Sequence, residues 1–170
     1  KDRFGRLFPV KFGGKLFDLI GAELDFYDLQ HPDGQGAVRV GNQSYGWFTW
    51  GEAFKPYPGT EVWGTFENDF YANKPAVIHR KLGKGTVTYI GVDSRKGDLE
   101  KAILQKVYQV AGVPVLDLPQ GLLIEYRDGL GIALNYSDQT LDLPIAKGKK
   151  HLIGQLPLPT TGVLVWKANE

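Results

Sequence analysis

The chain has 170 residues, a formal net charge of +1, 42% hydrophobic residues and no cysteine. That length suits one ordinary domain or two small ones, and the charge balance gives no reason to expect nucleic acid or an anionic membrane surface. No run approaches the roughly 20 apolar residues of a membrane-spanning helix, and the lack of cysteine excludes disulfides, thiolate catalysis and cysteine metal sites in any compartment.

The opening, "KDRFGRLF", has neither a methionine nor a signal-peptide pattern, so the chain is expected to begin inside a longer protein. "GGKLFDLIGA" then predicts a helix with Leu16, Leu19 and Ile20 on one face and Gly21 as its C-terminal cap. "AELDFYDL" reads as a strand, "HPDGQG" as a loop and "AVRV" as a short strand. Aromatics crowd the next stretch: "YGWFTWGEAF" and "EVWGTFE", separated by "KPYPGT", read as an antiparallel pair. "PAVIHRKL" and "TVTYIGVD" form a hairpin through Gly83-Lys84-Gly85, where Gly83 or Gly85 is expected to take a positive φ.

Asp98 is the expected N-cap of a helix whose stripe is Leu99, Ile103, Val107 and Val110, stopped by Gly112 and Pro114. After the linker "PVLDLPQG" only short strands follow: "LLIEYRD", "LGIALNYS", "TLDLPI", "KHLIG" and "GVLVWK". The chain therefore divides into a mixed α and β part, residues 1–115, and a small all-β part, residues 116–170, too small to be more than marginal alone.

Chemistry is hard to find. His31, His79 and His151 are isolated in sequence, "HPDGQG" lacks the lysine and hydroxyl of a phosphate loop, and neither a metal nor another cofactor is expected. Glu52, Glu61, Glu67 and Asp69 fall in one sheet-like region, where they read either as a glycosidase-type carboxylate pair or as solvated outward positions, the commoner fate of acidic residues. The main anomaly is aromatic. Tyr45, Trp47, Trp50 and Trp63 head a cluster open to three readings: a thin sheet's core, a protein interface, or a sugar-stacking surface. Trp47 and Phe48 are adjacent and point to opposite faces of a regular strand. One face can pack on the helix after Asp98, so Trp47 or Trp50 is expected to be buried against another subunit or domain.

The hairpin region, "DFYANKPAVIHRKLGKGTVTYIGVD", resembles the middle domain of family 42 β-galactosidases, with Asp69, Phe70, Tyr71, Pro75, Ala76, Val77, Gly83, Lys84, Gly85, Tyr89 and Gly91 on the family pattern. The upstream stretch "KDRFGRLFPVKFGGKLFDLIGAELDFYD" is similar to the same domain. The resemblance implies an architecture of three parts: a (β/α) barrel carrying two catalytic glutamates, an α/β middle domain similar to class I glutamine amidotransferase and flavodoxin-like folds that mediates trimer contacts, and a small terminal β-sandwich. It implies that this chain holds the later part of the middle domain and the β-sandwich, with few helices, and that its partners are the barrel and further copies of itself. No catalytic residue of the family maps onto any position here, and no glutaminase cysteine is present. The implied role is scaffold; the competing reading is a stand-alone carbohydrate-binding or protein-interaction module.

Overall fold

The computed structural model describes residues 4, 6, 14–31, 33–94 and 96–168. The opening residues of the upstream resemblance therefore lie outside the described residues. The chain folds as two compact units, Lys1–Pro114 and Val115–Glu170.

The first unit runs α1 (Lys15–Ile20), β1 (Ala22–Leu29), β2 (Ala37–Val40), β3 (Gln43–Pro56), β4 (Thr60–Phe66), β5 (Pro75–Leu82), β6 (Gly85–Ile90), β7 (Val92–Ser94) and α2 (Asp98–Val110). Every strand pairing among the described residues is antiparallel. The long β3 is shared. Its first residues pair with β2 and its last with β1, while β7 lies along the other edge, so that Gly51 is opposite Asp28 of β1 on one side and Val92 of β7 on the other. From β3 the ladder passes through β2, β4 and β5 to β6 and, with only Gly91 intervening, returns through β7 to β3. The ladder closes on itself.

Gly91 makes the closure. Its N–H donates to the Ala76 carbonyl (2.8 Å) and its carbonyl accepts from Glu52 N–H (2.6 Å). A Cβ there would lie 2.5 Å from Phe54 Cε2 and 2.6 Å from the Glu52 oxygen, so backbone from two strands fills the space a side chain would need.

The expected antiparallel pair of β3 with β4 is not formed: β2 lies between them. The connecting turn explains the departure. Pro56 and Pro58 lack the N–H groups of a tight hairpin. Tyr57 N–H (2.8 Å) and Thr60 Oγ1 (2.7 Å) instead both bond the carbonyl of Gly21, the αL cap of α1, and draw the chain away from β3. The β5–β6 hairpin forms as expected, with Leu82 opposite Gly85 across a two-residue turn in which Gly83 takes φ 58° and Gly85 takes no positive φ.

Two apolar clusters lie on opposite faces of this ladder; neighbouring Val77 and Ile78 belong to different ones. The larger holds Trp47, Trp63, Phe66 and Tyr71 with Leu99 and Ile103 of α2. The smaller holds Ile20 of α1 with Ala22, Phe54 and Ile78. Both helices differ from expectation at their margins. Gly97, with φ 74°, caps α2 in place of Asp98, and Val110 at the end of the predicted stripe is exposed. On α1 the packed pair is Phe17 and Ile20, one turn apart, and Leu16 and Leu19 are exposed.

The second unit contains β8 (Leu122–Arg127), β9 (Leu130–Asn135), β10 (His151–Ile153) and β11 (Val163–Lys167), in the order β10-β11-β9-β8. A short 3-10 helix, Pro144–Ala146, and a bridge between Leu141 and Leu158 form a second layer, whose Leu143, Ala146 and Leu158 pack on Ala133, Leu164 and Trp166 of the sheet.

Candidate functional site

β3 supplies Tyr45, Trp47 and Trp50, and β4 supplies Trp63. Alternation puts Trp47 on the α2 face, where it is 1% exposed. Its ring meets Phe66 edge-on at 5.6 Å and lies over Gly51, where a Cβ would come within 2.8 Å of the indole. Its Nε1–H is buried without a hydrogen-bond partner among the described residues. Trp63 is 7% exposed and sandwiched: His79 stacks on one side (3.9 Å between centroids, 10° between planes) and Lys106 Nζ stands 4.2 Å from the ring centre. Its Nε1–H donates to Glu61 Oε2 at 3.0 Å. Neither ring offers a face to a partner or a sugar, so the expectation of an interface role for Trp47 is corrected: the residue is core. Tyr45 is half-buried against the same cluster.

Trp50 is different. It points to the other face of β3, half-buried, and stacks on Tyr27 of β1 at 4.9 Å and 11°. Tyr27 is 54% exposed and Leu29 beside it 61%. β1 and β3 thus build an apolar surface from Trp50, Tyr27 and Leu29, continuing beyond the part of that face that α1 covers. Sequence reasoning missed Tyr27 and Leu29, because it paired β3 with β4 rather than with β1.

The acidic candidates do not converge as a catalytic pair; each is engaged separately. Glu52, expected at a solvated position, is buried and accepts the Tyr89 hydroxyl hydrogen bond at 2.8 Å. Burial, and then the Glu52 carboxylate itself, push the Tyr89 phenol far above its ordinary pKa. Glu61 holds Trp63, Glu67 accepts from Arg39 and Ser44, and Asp69 Oδ1 accepts Phe70 N–H at 3.1 Å. His79 Nδ1 is 2.8 Å from Thr88 Oγ1, His151 Nε2 bonds the Ala146 carbonyl, and His31 is on the surface beside Asp33. Among the described residues no three His, Asp or Glu side chains form a group that could hold a metal ion.

These features define a β-rich domain whose polar side chains serve its own packing and whose second face keeps an aromatic surface. Residues 1–114 match the β-galactosidase trimerisation domain, over the same span as the first unit. The chain belongs to that family. β-Galactosidase Bga of Halorubrum lacusprofundi is 31% identical over 157 residues, covering 85% of this chain and 22% of that protein. β-Galactosidase BgaH of Haloferax lucentense is 26% identical over 156 residues, 91% of this chain and 23% of that protein. The solved structure of a polyextremophilic β-galactosidase from Halorubrum lacusprofundi aligns with a TM-score of 0.84 at 28% identity, covering 98% of this chain and 25% of that one. The chain spans about a quarter of the length of these relatives.

Proposed function

We propose that the chain is a non-catalytic scaffold and assembly portion of a β-galactosidase-type glycoside hydrolase. In the intact protein a (β/α) barrel would supply two catalytic glutamates and hydrolyse terminal β-galactosides with retention, through a glycosyl-enzyme intermediate. Residues 1–115 would belong to an amidotransferase-like middle domain that makes homotrimer contacts, and residues 116–170 would form a terminal β-sandwich. The observation that carries the reading is the match of residues 1–114 to the β-galactosidase trimerisation domain. The separate structural engagement of Glu52, Glu61, Glu67 and Asp69 supports it from the chemical side. The surface of Trp50, Tyr27 and Leu29, with Tyr45 at the margin of the core, is the region offered for subunit contact. A stand-alone sugar-binding module built on the four aromatic candidates is disfavoured, because Trp47 and Trp63 are buried.

The test has two arms. The purified chain is expected not to turn over a chromogenic β-galactoside; turnover abolished by Glu52→Gln or Glu61→Gln would overturn the non-catalytic assignment. In sedimentation velocity the chain is expected to self-associate, and Tyr27→Ala with Trp50→Ala to return it to monomer. A strictly monomeric parent chain would overturn the assembly assignment.

A further inference from the structure

We infer that the loops at one end of the second unit form a binding site for a neutral carbohydrate ring. An open cleft of about 550 Å³ lies between residues 119–121, which lead into β8, and residues 136–141, which follow β9. That volume lies within the range of small-ligand sites.

The site is built on a rigid support. Asn135 is 1% exposed, and the two hydrogens of its Nδ2 are shared among the carbonyls of Gln139 (2.7 Å), Pro159 (2.9 Å) and, at the longest distance, Leu158 (3.2 Å). Its Oδ1 accepts from Ser137 N–H (3.0 Å) and Ser137 Oγ (2.6 Å). The second loop is clasped to the first by Tyr136 N–H donating to the Gly121 carbonyl at 2.7 Å. Gly121, at φ 82°, presses so close to the Ser137 backbone that a Cβ there would lie 2.9 Å from Ser137 N. A buried amide fully used to fix one surface loop leaves that loop little freedom, which is what a preorganised site requires.

The support leaves several side chains free to act outward. Tyr136 is 72% exposed, and Gln120, Asp138 and Gln139 are exposed beside it, with Pro119 and Leu141 completing the wall. Charge and donor inventory choose the ligand. The lining has one carboxylate and no lysine, arginine or histidine, which disfavours phosphate and other anions. One carboxylate is too few for a hard cation. Two amides both donate and accept, and the carboxylate only accepts. A pyranose matches this set: its hydroxyls donate to Asp138 and exchange hydrogen bonds with Gln120 and Gln139, while its apolar C–H face lies on the Tyr136 ring.

The inference does not rest on the trimer reading and is tested independently of it. The isotope-labelled 170-residue chain is titrated with methyl β-galactoside and methyl β-glucoside, with phosphate and calcium chloride as controls, following backbone amide resonances. Saturable shifts confined to residues 119–121 and 136–141 are expected with at least one glycoside. Tyr136→Ala and Asp138→Asn, both at exposed positions and so compatible with folding, are expected to weaken that binding by about tenfold or more. Three results would each overturn the proposal: no saturation with either glycoside, equal affinity in both variants, or a response to phosphate or calcium alone.

Discussion

Each unit is organised around one fully buried tryptophan lying over a glycine. In the first unit Trp47 covers Gly51, four residues along its own strand; in the second, Trp166 of β11 covers Gly131, its cross-strand partner on β9, where a Cβ would lie 2.2 Å from the indole. The device is the same but the surroundings are not. The ladder around Trp47 closes on itself and has apolar clusters on both faces. The sheet around Trp166 has one cluster on one face, and Leu123 and Val163 on the opposite face are 43% exposed. A closed, two-faced unit can lose a large side chain and keep part of its order; a one-faced sheet of four strands has no reserve.

The largest test of that contrast is to truncate both rings. Trp47→Ala and Trp166→Ala should each cost about 3–5 kcal/mol locally. Amide exchange should then separate them. Trp166→Ala is expected to abolish protection throughout β8–β11 while leaving β1–β7 unchanged. Trp47→Ala should weaken the α2 side of the first unit more than the Ile20, Phe54 and Ile78 side. Uniform loss across both faces would mean that the two clusters form one cooperative core.

Gly91 offers a sharper cut at the closure itself. Gly91→Ala forces a methyl group between Phe54, the Glu52 carbonyl and the Ala76 carbonyl, and overpacking of this kind costs about 1–3 kcal/mol. Gly51→Ala should cost less, because the obstructing group is a side chain rather than two backbones. Denaturant midpoints of the two variants in the reverse order, or a neutral Gly91→Ala, would show that the ladder does not depend on closure there.

Most strand segments were legible because alternating apolar residues and glycine or proline punctuation are local signals; residues 140–145, read as a strand, instead hold a single bridge at Leu141 and the start of the 3-10 helix Pro144–Ala146. Partner choice was not. Whether β3 pairs with β1, β2 or β4 depends on where the turn after Pro56 finds its hydrogen bonds, and those go to Gly21, more than 30 residues earlier in the chain. The same gap explains the candidate site. Alternation assigned Trp47 and Phe48 to opposite faces, yet which face would be covered depended on α2 docking over one and the six-residue α1 over only part of the other. Tyr27 carries no mark in sequence that tells it from the neighbouring Phe26, which packs inward.

His79 adds a dependence on pH that only the first unit should feel. Burial, and then the Lys106 charge, hold its imidazole below the ordinary histidine pKa, against the opposing pull of Glu61. The folded state therefore binds this proton less readily than the unfolded chain. The associated stability is present above the unfolded pKa of about 6.5 and is lost as pH falls below it. Stability of the first unit should decline on acidification through that point, and His79→Gln should flatten the decline. A slope unchanged in His79→Gln would assign the acid sensitivity elsewhere.

The smallest effects concern two hairpin turns, one in each unit. Leu82 and Gly85 flank Gly83-Lys84, and Arg127 and Leu130 flank Asp128-Gly129. In the first turn only Gly83 has a positive φ, 58°; in the second both residues do, Asp128 at 50° and Gly129 at 77°. A positive φ at the first position alone suits a II′ turn, and at both positions a I′ turn. Gly83→Ala and Gly129→Ala should therefore each cost about 1 kcal/mol, the penalty for placing a Cβ in the left-handed region. Gly85→Ala should be close to neutral, since Gly85 takes no positive φ and the nearest atom to its added Cβ is the Leu82 oxygen at 4.0 Å. Asp128→Gly should be neutral to slightly stabilising, because it relieves the strain that only aspartate, asparagine and glycine tolerate at that position. Thermal unfolding of the four variants decides the matter: equal losses at Gly83 and Gly85 would mean that the first turn has no special first position.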